Sequence, residues 1–236
     1  MNFLKRFATP IQIVMTLFLF IQISLIVGLA ATPGIYLALK IHAWVATLNL
    51  SEIVFIFASC SLAVASYFCY ALTVVILVPI MRILSFGSPE GRYPLYSLKA
   101  VTWAGYNALI LVVRFTCLNF IKATPFLVLF HRLMGMKVGK RVQINTPIIG
   151  DSNLISIGDD TVIGGDVTIT PHAYEKGDLV VEKIIIGSNV TIGLMSIIMP
   201  GCHIEDGATL AANTVLKKGT IVGKNEVWAG IPGRKI

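Results

Sequence analysis

IGSNVTIGLMSIIMPGCHIEDGATLAANTVLKKGTIVGKNEV, running from Ile186 to Val227, repeats itself every six residues without a break. Ile186, Ile192, Ile198, Ile204, Leu210, Leu216 and Val222 stand in one register. The position after each is small at most steps, as at Gly187, Gly193 and Ala211, and the fifth position is again mostly small: Val190, Ser196, Cys202, Ala208 and Thr214. Helices repeat at 3.6 residues and ordinary strands at 2, so neither accounts for a strict six. A short strand with one inward apolar residue cannot bury it alone, whereas stacking such strands into a coil makes a continuous apolar axis.

The same frame continues upstream through Ile157, Ile163 and Ile169, with Val138 and Ile144 as two earlier steps displaced by one residue. Between Ile169 and Ile186 it slips, which puts Thr170 to Ile185 partly in a loop leaving the coil. This run resembles the left-handed parallel β-helix of the hexapeptide-repeat acyltransferases, in which three six-residue strands make one triangular turn. The resemblance covers residues 136–236.

The front half is a different material. Charged residues make up 13% of the chain and mean hydropathy is +0.81, well away from a soluble domain, where about a quarter of residues are charged. Ile11–Ala31 and Ile53–Ile80 are uncharged, and each is long enough to cross a bilayer. A cleaved signal peptide is the alternative for the first, but no small-residue cleavage site with a polar sequel follows it. Lys5 and Arg6 precede the first stretch, and Arg82, Arg92 and Lys99 follow the second, while the loop between offers Lys40 and His42 against Glu52. Positive flanks prefer the cytoplasmic side, so both termini and the coil are expected there. Tyr106–Phe120 is apolar but holds Arg114, and is expected to lie at the interface as an amphipathic or re-entrant segment, with Trp103 and Tyr106 at headgroup level.

The expected architecture is therefore mixed. N-terminal transmembrane α-helices (1–99) and an interfacial segment (100–135) precede a C-terminal left-handed parallel β-helix built of hexapeptide repeats (136–236). The net charge of +7 suits membrane lipid with an anionic inner leaflet, and no basic stripe interleaved with aromatics points to nucleic acid. The four cysteines show no CxxC or paired spacing, so neither a disulfide framework nor a zinc site is indicated.

His172 lies in Thr170-Pro171-His172-Ala173-Tyr174-Glu175, where the frame breaks. In the family this run resembles, a histidine shortly before such a loop is the general base. Imidazole suits that task because its pKa lies near the working pH. A carboxylate orienting the ring is sought in Glu175, with Asp159, Asp160 and Asp166 as the other candidates. The resemblance also implies acetyl-CoA or another acyl-CoA as co-substrate, with no metal. The closing segment Trp228-Ala229-Gly230-Ile231-Pro232-Gly233-Arg234-Lys235-Ile236 is similar to the family's Gly-x-Pro-Ala-Lys ending along the pantetheine arm. It brings Gly230, Pro232 and Lys235 to the coenzyme, together with Gly193, small Ala211 and Ala212 beside the thioester, and Lys218 near the phosphates. Asn213 departs from a usual glycine, and Thr191 from the tryptophan of sugar-modifying members. The γ-class carbonic anhydrases share the fold, but Leu194 and Met199 occupy both positions where those enzymes place metal-binding histidines.

Gly91-Arg92-Tyr93-Pro94-Leu95-Tyr96-Ser97, Trp103, Ala123-Thr124-Pro125 and Arg132 to Gly139 further resemble the membrane-anchored terminal region of polylysine-synthetase-type nonribosomal peptide synthetases. Two classes of function stay open on these residues. One is a membrane-anchored acyl-CoA-dependent O- or N-acyltransferase acting on a membrane-proximal or lipid-linked acceptor. The other is a non-catalytic scaffold serving a membrane complex or an assembly line. Either is expected to be a homotrimer, by the resemblance and because flat-sided prisms pair around a threefold axis.

Overall fold

The structure, a computed structural model, describes residues 8–83, 89–95 and 97–236. Lys5, Arg6 and Tyr96, used above, lie outside the described residues. Helix α1 (Ala8–Val45) and helix α2 (Glu52–Arg82) form an antiparallel pair. They meet at small residues: a Cβ added to Gly34 would stand 2.7 Å from the Ser66 carbonyl oxygen, and the Ser66 hydroxyl donates to the Gly34 carbonyl at 3.2 Å. Their outer faces leave Phe18, Leu25, Leu29, Tyr36, Phe57 and Leu72 more than half exposed. An apolar surface on this scale marks a surface meant for lipid or protein.

Helix α3 (Leu98–Val113) starts where the Ser97 side chain accepts a hydrogen bond from the Ala100 amide. It continues through a π turn, Arg114–Leu118, and a last turn, Asn119–Ile121. Helix α4 (Pro125–Leu133) follows, opened by proline at its first turn. The single interfacial segment expected over 100–135 is thus two helices. Leu98–Ile121 is as long and apolar as a membrane span needs, as are Thr16–Leu48 and Glu52–Arg82. Trp103 and Tyr106, expected at headgroup level, make their polar contacts within the protein. Tyr106 is fully buried with its hydroxyl on the Met134 carbonyl at 2.7 Å, and the Trp103 indole is bonded inside the protein.

From Lys137 onward short parallel strands stack into three sheets. Ile192 pairs with Leu210, Ile198 with Leu216 and Ile204 with Val222, so one full turn takes eighteen residues, three of the sequence hexads. From Ile144 to Val222 the inward column is buried throughout. Corner backbones at Asn189, Met195, Gly201, Gly207, Asn213, Gly219 and Asn225 all have positive φ, again six apart. Glycine and asparagine enter that conformation most readily, which accounts for Asn213 in place of glycine. Buried corner hydroxyls are satisfied locally, as where Thr214 donates to the Ala211 carbonyl at 2.7 Å. Gly193 is dictated by stacking, since a Cβ there would lie 2.4 Å from the Ala212 amide nitrogen on the next turn.

Two irregularities break the coil, and both shape one place. Ile157 pairs with Ile186 rather than with a residue eighteen on. The excess leaves as an antiparallel hairpin, His172–Glu175 with Asp178–Val181. Lys176 and Gly177 at its tip both have positive φ, as a tight two-residue hairpin turn requires. Gly91–Pro94, from the segment between α2 and α3, adds a third strand to it. The second irregularity is one extra residue: Val138 pairs with Ile157 and Ile144 with Ile163, each nineteen on. It falls between Ile144 and Ile157, the stretch that contains Asp151.

Candidate active site

His172 begins the hairpin strand at the point where the chain leaves the coil. Its Nδ1 is hydrogen-bonded to Oδ2 of Asp151. The Asp151 side chain is fully buried, whereas that of His172 keeps 24% of its surface exposed. An ionised carboxylate only accepts, so opposite one a neutral imidazole carries its proton on Nδ1 and its lone pair on Nε2. Asp151 has φ 39°, a left-handed conformation that aspartate tolerates better than most residues. Its Oδ1 accepts from Trp103 Nε1 and from Asn107 Nδ2, both at 2.7 Å. Three donors thus compensate a carboxylate that would otherwise be very costly to bury.

Two of these partners, Trp103 and Asn107, come from α3, so the apolar front half builds the site as much as the coil does. The Trp103 ring meets His172 edge-on with centroids 4.8 Å apart, and Tyr174 closes the group 5.9 Å from Trp103. Burial, and then the nearby Asp151 charge, push the Tyr174 phenol pKa up. At Gly150 even a Cβ would come within 3.4 Å of His172 Cε1. A cavity of about 340 Å³ opens beside the imidazole, with α3 on one wall and the coil edge on the other.

Glu175 is not the carboxylate on the ring. Residues three apart on a strand face opposite ways, and Glu175 turns instead to Arg92 and Lys218, each at 3.4 Å. Asp159 accepts from the Lys140 amide, Asp160 is paired with Arg141, and Asp166 is exposed. The nearest clue to Asp151 in the sequence was the one-residue slip in the frame.

Of the residues expected around a coenzyme, Gly193, Ala211, Ala212, Gly230 and Pro232 share one corner of the coil. Ala211 donates to the Trp228 carbonyl at 2.8 Å, and Val215 to the Gly230 carbonyl at 3.1 Å. Lys218 lies apart, ion-paired to Glu182 at 2.9 Å as well as to Glu175, and both acids raise its pKa. Lys235 is held by Glu226 at 2.8 Å; that lysine, the Trp228 indole and the Gly223 amide bring the Glu226 pKa down to about 2. None of these seven residues lines the cavity beside His172. Among the described residues no three of His, Cys, Asp or Glu are grouped to hold a metal.

Residues 183–218 match the family model "Hexapeptide repeat of succinyl-transferase". A Bacillus subtilis protein described as "Putative acetyltransferase YvoF" is 32% identical over 148 residues, which is 57% of this chain and 86% of that protein. The Delta-poly-L-ornithine synthetase of Acinetobacter baumannii is 26% identical over 162 residues, covering 69% of this chain but 12% of that much longer protein. A galactoside acetyltransferase solved in complex with coenzyme A superposes with a TM-score of 0.48 at 20% identity, covering 66% of this chain and 88% of its own.

Proposed function

The chain belongs to the hexapeptide-repeat acetyltransferases, and from that premise we propose that it moves an acyl group, acetyl in the first instance, from acyl-CoA to a hydroxyl or amine of a membrane-proximal or lipid-linked acceptor. The observation that carries this reading is the buried Asp151 carboxylate holding His172 by Nδ1, with a cavity beside the ring. In this reading His172 Nε2 takes the proton of the acceptor O–H or N–H as the oxygen or nitrogen attacks the thioester carbonyl. The new C–O or C–N bond forms, the C–S bond breaks, and the proton passes from the imidazolium to the leaving thiolate, giving free CoA. General base catalysis of this kind contributes about 10²- to 10⁴-fold. Asp151 fixes the tautomer and stabilises the imidazolium, and Trp103 and Asn107 keep Asp151 in place.

The acyl-CoA itself lies along the corner of Gly193, Ala211, Ala212 and the Gly230–Pro232 turn. That corner does not line the cavity of its own chain, so the site is completed in a homotrimer of left-handed coils, where one copy's corner meets another's His172. Helices α1 and α2 cross the bilayer, α3 lies against the cytoplasmic face or enters it, and the coil stays where acyl-CoA is found. One observation favours a scaffold instead: Lys218 and Lys235, expected at coenzyme phosphates, are already neutralised by carboxylates.

Acetyl-CoA binding and turnover by the full chain in detergent, wild type beside His172→Ala, decide between them. Binding by both, with turnover lost in the variant, supports the transferase. No binding at millimolar acetyl-CoA overturns it in favour of the scaffold.

A further inference from the structure

One residue of the cavity beside His172 narrows the acceptor. Helix α3 lines that cavity with Trp103, Asn107, Ile110 and Arg114, positions that share one stripe of a helix. The first two anchor Asp151. Arg114 lies seven residues past Asn107, roughly 10 Å along the helix axis. Between them the helix wall is apolar, with Ile110 and Leu111, and the coil edge adds Ile148, Ile149 and Ile169 beside the hydroxyls of Thr168 and Thr170.

A half-buried guanidinium in such a wall calls for a counter-charge. Among the described residues no carboxylate is ion-paired to Arg114; its contact is the ring of Phe115, 5.6 Å away. The helix also changes at this residue. Arg114 opens the π turn, whose Thr116 carbonyl accepts from the Tyr67 hydroxyl of α2. π turns redirect side chains and recur at functional sites. Here Phe115 is 76% exposed, and Arg114, whose guanidinium rests against that ring, lines the end of the cavity.

We infer that Arg114 binds the anionic group of the acceptor, which is an amphiphile carrying a phosphate or carboxylate within one headgroup's length of its nucleophilic hydroxyl or amine. The inference rests on the acyl-transfer reading for the identity of the ligand as an acceptor. The anion changes no bond in the reaction; it stays on Arg114 while the nucleophile at the other end of the cavity loses its proton to His172 and takes the acyl group.

The test uses the full chain in uncharged detergent and isothermal titration with three probes. Dihexanoyl-phosphatidylglycerol carries phosphate, hydroxyls and tails; dihexanoylglycerol lacks the phosphate; glycerol 3-phosphate lacks the tails. Wild type is expected to bind the phosphatidylglycerol at least about tenfold more tightly than dihexanoylglycerol, a difference of about 1.4 kcal/mol. Arg114→Gln abolishes that preference and Arg114→Lys keeps most of it. Leu111→Glu, which supplies a carboxylate one turn before Arg114, abolishes it too and serves where Arg114→Gln does not fold. Glycerol 3-phosphate binding as tightly as the lipid assigns the anion site to a soluble acceptor; weaker binding assigns it to a lipid headgroup. Equal wild-type affinity for charged and neutral lipid overturns the inference, as does a preference that survives both Arg114→Gln and Leu111→Glu. Acetyl-CoA turnover on the same preparations separates the two readings. Charge-selective binding without turnover removes acyl transfer and leaves the anion site; His172-dependent turnover without selectivity does the reverse.

Discussion

Asp151 concentrates the cost and the use of this site in one side chain. It is fully buried, and its carboxylate is hydrogen-bonded to Trp103, Asn107 and His172 at once. Trp103→Phe removes the indole donor, leaves the carboxylate short of one hydrogen bond and opens a small void where the second ring stood. A loss of about 1–3 kcal/mol is expected, read from chemical denaturation in detergent. His131, a fully buried histidine nearby, has Nδ1 on Ser152 Oγ at 2.9 Å, and burial lowers its pKa to about 3. Between an unfolded value near 6.5 and that folded value, the unfolded chain binds a proton the folded one refuses, so stability falls as pH drops through this window, by at most about 1.4 kcal/mol per unit. His131→Leu is expected to flatten that acid limb relative to wild type. His172 was legible because it stands where the hexad frame breaks. Asp151 was not: its partners lie twenty-one residues later and some forty-four to forty-eight earlier, and only folding joins them. Glu175 was attractive by proximity in sequence, but the two-residue period of a strand turns it away.

At the scale of elements, spacing carried the coil and small residues carry its contacts. The six-residue frame was sufficient to place the inward column, since each inward residue can be buried only by the turn above and the turn below. Gly193→Ala drives a Cβ into the backbone of Ala212, and over-packing of that kind costs about 1–3 kcal/mol. Thermal unfolding is expected to show that loss, and an unchanged midpoint would mean the turns can separate there. The helices were legible as apolar stretches but not as packed partners. Nothing in a run such as Ile53–Ile80 says that Ser66 receives Gly34, or that α3 turns Trp103 and Asn107 toward the coil. Gly34→Leu is expected to force α1 from α2 and lower the yield of folded chain in detergent, with the coil's β signal in circular dichroism retained.

On the scale of the whole molecule, the apolar helices and the coil are one construction. A single apolar core runs from Ile26 and Val74 through Leu109 and Phe130 into Ile144 and the inward column. The hairpin that carries His172 is pinned from the other side by the Gly91–Pro94 strand, with Arg92 on Asp178 at 2.9 Å. In the proposed function a nucleophile delivered along α3 therefore meets a base held by that same helix, which couples the membrane-side acceptor to acyl-CoA on the coil. The most direct measurement is a double-mutant cycle on acetyl-CoA turnover with His172→Ala, Asp151→Asn and the double variant, each checked for folding. If the two residues work as one unit, each single change lowers turnover by about 10²-fold or more, and the double is no worse than the poorer single. Turnover within about threefold of wild type in both singles, set against that same expectation for a general base, would contradict the account.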